Sequence, residues 1–217
     1  MDSGTAAQGG IPGLLVRQER PEDYSQTEAL VREAFWNRYA PGCSEHYLLR
    51  LLRQSIDFEP WHSLVAEYGG NLIGQVMLSP GKVVSGEGMA YPVLTLGPVC
   101  VLPAVFLRGV GSALMRAAIS AARERGAAAI LLMGDPNYYS RFGFLPASRF
   151  GIRLPGMETN DEAAFFMALP LHEGALEGVQ GLFHEAPEFA HCDGEGLEAY
   201  DSAFPERVKM KLPGQLR

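Results

Sequence analysis

Several things are scarce in this 217-residue chain, and each scarcity removes a class of function. Cysteine is rare: Cys43, Cys100 and Cys192 are far apart, odd in number and never in a C-x-x-C pair. A disulfide framework and a zinc site are thereby argued against, and the usage suits a reducing cytoplasm. No apolar run approaches the roughly 20 residues that cross a bilayer, so no membrane is expected. The opening MDSGTAAQGGIPG has neither a basic nor an apolar segment, so residues 1–13 read as a flexible leader rather than a secretory signal. Basic blocks are missing, and the net charge is −7. Nucleic acid is therefore not an expected partner, and a cationic small molecule is favoured over an anionic one. Apart from His46, the histidines (His62, His172, His184, His191) show no metal-ligand spacing. No G-x-x-x-x-G-K-[ST] occurs, and the third glycine of G-x-G-x-x-G is replaced by Leu114 after Gly109 and Gly111, so nucleotide P-loops and dinucleotide folds are set aside.

What remains is ordinary globular material: 47% hydrophobic, 20% charged and mean hydropathy near zero. The chain is organised around Thr95 to Gly126. Thr95 to Leu102 is an apolar run bounded by Pro92 and Pro103 and reads as a buried strand. A helix begins near Arg108 to Ser112, with Val110, Ala113, Leu114, Ala117, Ala118 and Ala121 forming one apolar stripe, and it stops at Gly126. The first N–H groups of such a helix lack internal partners and carry partial positive charge. With Gly109 and Gly111 leaving them uncovered, that first turn can cradle a phosphate, with Arg108 as a cation at its mouth. The same G-x-G also arises from tight packing alone.

Around this core the chain reads as helices, then an antiparallel meander, then a strand–helix–strand crossover. Pro21 to Asp23 opens a first helix, and Ser44 caps a second. Ser63 to Tyr68 and Leu72 to Leu78 are joined by a Gly69-Gly70-Asn71 hairpin turn, and Pro80-Gly81 interrupts before Lys82 to Val84. Ala127 to Met133 is the strand after the long helix. Asp135 or Asn137 caps a short helix that Gly143 ends, and Ala164 to Leu169 and Gly181 to Glu185 are late strands. From Ala186 the tail, with its prolines and glycines, reads as an irregular extension.

Taken together, Phe106-Leu107-Arg108-Gly109-Val110-Gly111 and Tyr139-Ser140-Arg141-Phe142-Gly143-Phe144 resemble the two signatures of the GNAT superfamily of acyl-CoA-dependent N-acyltransferases. GDPNYYSRFGF and Glu173 to Gly178 look like a bacterial subgroup of predicted acetyltransferases within it. The resemblance spans about residues 14–185. It implies an α/β fold with a mixed, mostly antiparallel central sheet, flanking helices and an acyl-CoA-binding crossover, with a GNAT-like domain over 14–170 and an extension over 171–217. It also implies direct attack of an amine on acetyl-CoA, with no metal. The backbone of Val99, Cys100 and Val101 would pair with the pantetheine arm, and one amide there would polarise the thioester. Amides of Leu107, Arg108, Gly109, Val110, Gly111, Ser112 and Ala113 would hold the pyrophosphate. Tyr139 would protonate the leaving thiolate, against the plainer reading of a packed surface aromatic.

Two departures from the pattern stand out. Phe106 replaces a polar Gln or Arg, and the segment before Tyr139 is about one helical turn short, so Asn137 only approximates the family's asparagine there. No general base is visible: Glu33, His46, Asp135 and a water relay all remain open, and Cys100 reads as a small buried hydrophobe rather than an acyl carrier. The resemblance leaves the acceptor to the helical pair near 22–53, the loops and the C-terminal part. A cytoplasmic monomer or homodimer is expected. The competing readings are a catalytically silent acyl-CoA-binding module and an interaction protein whose tail docks a partner.

Overall fold

The structure is a computed structural model and describes residues 11–105, 108–158 and 161–215. The expected leader over 1–13 therefore falls mostly outside the described residues, as do Phe106 and Leu107. The elements run β1 (Leu14–Gln18), α1 (Tyr24–Phe35), α2 (Glu45–Gln54), β2 (Ser63–Tyr68), β3 (Asn71–Val84), β4 (Ala90–Val101) and α3 (Val110–Glu124). They continue with β5 (Ala129–Met133), α4 (Pro136–Tyr139), β6 (Leu145–Pro146), β7 (Ile152–Arg153), β8 (Phe166–Pro170), β9 (Gly181–His184) and α5 (Gly194–Asp201). Hydrogen-bonded neighbours follow the order β1-β2-β3-β4-β5-β8-β6, and β9 pairs with both β3 and β7. The β4–β5 and β7–β9 pairs are parallel, while β1–β2, β2–β3, β3–β9, β5–β8 and β6–β8 are antiparallel. The fold is thus a mixed, mostly antiparallel open sheet with flanking helices, as expected.

The chain divides into two compact units, one of residues 1–77, 98–117 and 187–217 and one of 78–97 and 118–186. In the first, β1 lies on β2 from Leu14↔Tyr68 to Gln18↔Leu64, and β2 lies on the start of β3. Helix α1 buries Thr27, Leu30 and Val31, and α2 buries His46, Leu48, Leu49 and Leu52, in each case one face at i, i+3, i+4 spacing. Beneath them Glu19, 5% exposed, accepts from Ser63 Oγ at 2.7 Å and from Arg53 Nε at 3.0 Å. That buried carboxylate is paired, as burial of a charge requires. The second unit closes its own core around Val83, Ile152, Leu131, Phe166 and Phe183, whose two rings lie 5.4 Å apart.

Two elements differ from the sequence reading. Strand β3 does not break at Pro80-Gly81. Its edge pairs with β2 as far as Met77 and with β9 from Lys82 onward, so Pro80 falls in the gap between the two ladders, where an absent N–H on that side costs nothing. The tail is not irregular throughout: α5 forms despite Gly194 and Gly196, because its end is fixed by contacts rather than propensity. The Tyr200 ring lies 5.5 Å from His46 and 5.1 Å from Tyr47, and Asp201 accepts from Arg32 at 2.7 Å.

Candidate active site

Strand β4 carries the first part of the candidate site, and its sequence explains its shape. Parallel pairing with β5 is confined to Leu94↔Ile130 and Thr95↔Leu131. Just beyond, Gly97 takes φ 152°, a value that other residues rarely adopt, and Pro98 brings no N–H. The register with β5 ends where these two residues fall. Val99 and Val101 are half-buried and Cys100 is 8% exposed. Burial pushes the Cys100 thiol up, which keeps it protonated, consistent with its reading as a small core residue.

Chain and helix then turn over Pro103–Val105 into α3. Gly109, exposed, sits at φ 85° directly before Val110, a left-handed conformation that glycine takes without the Cβ penalty. A Cβ built there would meet no described residue within 4 Å, so among the described residues the space over the helix entrance is open. Gly109 O accepts from Ala113 N at 3.0 Å, and among the described residues the N–H groups of Val110, Gly111 and Ser112 come before the first helical bond. Arg108 is exposed beside them. Val110 and Leu114 are buried, and they close on Gly74 of β3, where a Cβ would come within 2.9 Å of Leu114 Cδ1. The helix entrance is therefore anchored by its apolar face and open on its polar one, which suits an anionic group held by backbone donors. Leu107, assigned to the same cradle, lies outside the described residues.

The Tyr139 turn belongs to the other unit and is built from its own neighbours. Asp135 Oδ1 accepts from Asn137 N at 2.9 Å and so caps α4, which settles the choice between the two as capping residue. Asn137 is exposed. The Tyr139 ring lies directly against Gly134: a Cβ there would stand 2.2 Å from Tyr139 Cε2. Phe144, fully buried, meets the ring edge-on at 6.0 Å, and Tyr138 does so at 4.9 Å. The ring of Tyr139 is thus clamped, and sequence reasoning missed that Gly134 exists to admit it.

The three side chains considered as bases are placed as follows. Glu33 is exposed and pairs with Arg207. Asp135 is engaged as the α4 cap. His46 is 0% exposed: its Nε2 lies 3.1 Å from Asp201 Oδ1 and its Nδ1 3.5 Å from Cys43 Sγ. Burial lowers its pKa to about 4, so it is neutral at ordinary pH. Burial also pushes the Cys43 thiol up. Among the described residues no group of three His, Cys, Asp or Glu side chains could hold a metal ion, and no helix is long and apolar enough to cross a membrane.

The comparisons with known proteins bear on both parts. The family model for the GNAT acetyltransferases matches residues 28–144. The Escherichia coli K12 protein YhbS, named as an uncharacterized N-acetyltransferase, is 31% identical over 176 residues, 79% of this chain and 97% of that protein. The crystal structure of E. coli YhbS in complex with CoA superposes with a TM-score of 0.71 at 29% identity, over 85% of this chain and 96% of that one. A GNAT family acetyltransferase from Brucella melitensis, in complex with acetyl-CoA, gives 0.65 at 28% identity, over 81% and 97%. Sequence and fold agree, and the chain belongs to the GNAT acetyltransferase family.

Proposed function

We propose that this protein transfers an acetyl group from acetyl-CoA to the amine of a small molecule or protein by direct attack. The observation that carries the reading is the entrance of α3. Glycine at φ 85°, space above it that no described residue fills and, among the described residues, three leading N–H groups make a seat for a pyrophosphate that needs no side-chain cation. The CoA and acetyl-CoA complexes of the two relatives above support the choice of ligand. The residues at work would be the amides of Arg108 to Ala113 for the pyrophosphate, with Leu107 leading into them. The backbone of Val99, Cys100 and Val101 would hold the pantetheine arm as an added strand, on the side of β4 that β5 has left.

Acetyl-CoA supplies the thioester. One amide of the β4 segment polarises its carbonyl, in the manner of an oxyanion donor. The Tyr139 phenol gives its proton to the departing sulfur, and the clamp of Gly134, Tyr138 and Phe144 fixes the ring for that role. Asn137, exposed at the start of α4, is assigned to the cofactor side. Soluble, metal-free chemistry in the cytoplasm, by a monomer or homodimer, completes the reading.

The experiment is thiol release from acetyl-CoA with a panel of primary amines, comparing the wild type with Tyr139→Phe. The expected outcome is a fall in kcat of about 100-fold or more, typical of a lost general acid, with acetyl-CoA affinity unchanged. Full turnover by Tyr139→Phe would remove the tyrosine from the mechanism.

A further inference from the structure

Sequence and geometry so far leave the proton of the attacking amine without a destination, and the second unit offers one. Two of its hydroxyls are anomalous. Ser79 Oγ on β3 and Thr95 Oγ1 on β4 are both buried, each residue 2% exposed, and neither has a hydrogen-bond partner. Buried polar groups are nearly always paired, so two such hydroxyls together call for a ligand. They share a face of the sheet. A Cβ built at Gly81 would lie 3.0 Å from Thr95 Oγ1 and 3.1 Å from Phe183 Cε2, so Thr95 and Phe183 stand on the side to which Gly81, and by alternation Ser79, point. Among the described residues space opens on β4 next to Thr95, because a Cβ at Gly97 would meet none of them within 4 Å.

Glu185 comes to the same face. It directly follows β9, whose register is Val83↔Phe183 and Lys82↔His184, and continuing that register by one residue sets Glu185 against Gly81. It has the parity of Phe183, whose ring lies beside Gly81 and Thr95 on that face. Glu185 is half-buried and makes no ion pair or hydrogen bond among the described residues, and none joins it to either hydroxyl. Burial is the one cause acting on its carboxyl, and it raises the pKa. The charged groups on the strands beside it stand on the opposite face. Lys82 and His184 are exposed there as a cross-strand pair, and Arg153 of β7 lies opposite Leu182, which also has that parity.

We propose that Glu185, Ser79 and Thr95 form the acceptor subsite, with the Glu185 carboxylate as the base for a primary amine and the two hydroxyls as its hydrogen-bond seat. The inference rests on the acetyltransferase reading. The acceptor arrives as an ammonium ion, to which a carboxylate with no other partner is complementary, and one N–H proton passes to Glu185. The nitrogen lone pair then forms the C–N bond to the thioester carbonyl carbon. On collapse the C–S bond breaks with its electron pair on sulfur, which takes the Tyr139 proton. The second nitrogen proton restores Tyr139, and Glu185 releases its own to solvent. A desolvated carboxyl suits this exchange, because a base works best with a pKa near the operating pH.

Two measurements on the full chain test the proposal. The first is a carbon-13 titration of the Glu185 carboxyl, with and without butylamine. The expected result is a pKa above the ordinary glutamate range that falls when the amine is added, since a cation beside it favours the charged form. A titration that butylamine does not move overturns the subsite, whether or not turnover is found. The second is steady-state thiol release with butylamine and tyramine. Glu185→Gln is expected to lower kcat/KM about 100-fold and remove the acidic limb of its pH profile. Thr95→Val is expected to lower it about 10-fold while raising Tm, because an unpaired buried hydroxyl is exchanged for a methyl. Unchanged kcat/KM in Glu185→Gln, or a lower Tm in Thr95→Val, overturns the assignment. Calorimetry with acetyl-CoA is read separately: loss of binding in the wild type defeats the acetyltransferase reading itself.

Discussion

The entrance of α3 and the C-terminal segment after Pro187 belong to the same compact unit and are built on opposite principles. The entrance is made of what is missing: no Cβ at Gly109, and, among the described residues, no helical acceptor for the first N–H groups of α3. The C-terminal segment is held by side chains reaching across more than 150 residues. Arg32 donates to Asp201 and to Pro205 O, and His46 meets the same carboxylate. Asn37, 6% exposed at φ 58°, works as a clasp. Its Nδ2 donates to Val208 O at 2.9 Å, its Oδ1 accepts from Met210 N at 3.0 Å and from Gly42 N at 2.8 Å, and its carbonyl accepts from Gln215 at 2.9 Å. One amide side chain thus reproduces part of a strand ladder. Backbone seats of the first kind bind ligands, and side-chain clasps of the second kind fix chain to chain.

The contrast predicts that the two regions fail separately. Asp201→Ala has the largest expected effect on the clasp. It leaves the Arg32 guanidinium, 4% exposed, without its carboxylate partner, and breaking such a pair costs about 3 kcal/mol. Urea unfolding should show that loss, while acetyl-CoA affinity in the folded variant stays within about two-fold, less than 1 kcal/mol. A large drop in affinity would show that the two regions are coupled. Asn37→Ala should cost less, about 1–2 kcal/mol, as partners are lost and a non-glycine residue is left at positive φ. Limited proteolysis should then cut within 205–215 before any other segment.

The smallest effect is in pH. The His46 pKa is about 4 in the fold against about 6.5 in an unfolded chain, so the unfolded form takes up the proton first. Stability from this group is complete above pH 6.5 and is lost as pH falls toward 4. Asp201 is held below the usual carboxylate range; burial opposes its ionisation, but the Arg32 bond and charge outweigh it. Its charge therefore persists through that window. His46→Phe should flatten the Tm slope between pH 6.5 and 4, and an unaltered slope would place the linkage elsewhere.

This difference between regions also explains what could be read from the sequence. Gly109, Gly111, Tyr139 and Gly143 announce themselves because backbone seats demand particular residues at fixed spacing. Strands β2 and β5, the end of β4 and the starts of helices α1 to α3 follow from sequence pattern within a few residues of where they are observed. The Asn37 clasp, the Arg32–Asp201–His46 contacts and the ring of Tyr139 over Gly134 carry no local pattern. Asn37 and Val208 are 171 residues apart, and nothing in either neighbourhood names the other. Strand β3 was misread at Pro80 for a related reason: whether a proline breaks a strand depends on which neighbour would have used its N–H. Glu185 escaped notice because its significance lies in the hydroxyls that β3 and β4 bring to its face.

The most direct test of the central claim is calorimetric titration of acetyl-CoA, desulfo-CoA and NAD into the wild type, Gly109→Val and Gly111→Val, with circular dichroism to confirm that each variant is folded. The account predicts binding of acetyl-CoA and desulfo-CoA but not NAD. It also predicts a loss of about 100-fold or more, near 2.7 kcal/mol, when side chains cover the leading amides of α3. Undiminished binding by the folded variants would contradict the backbone cradle, and absence of any coenzyme A binding by the wild type would contradict the function.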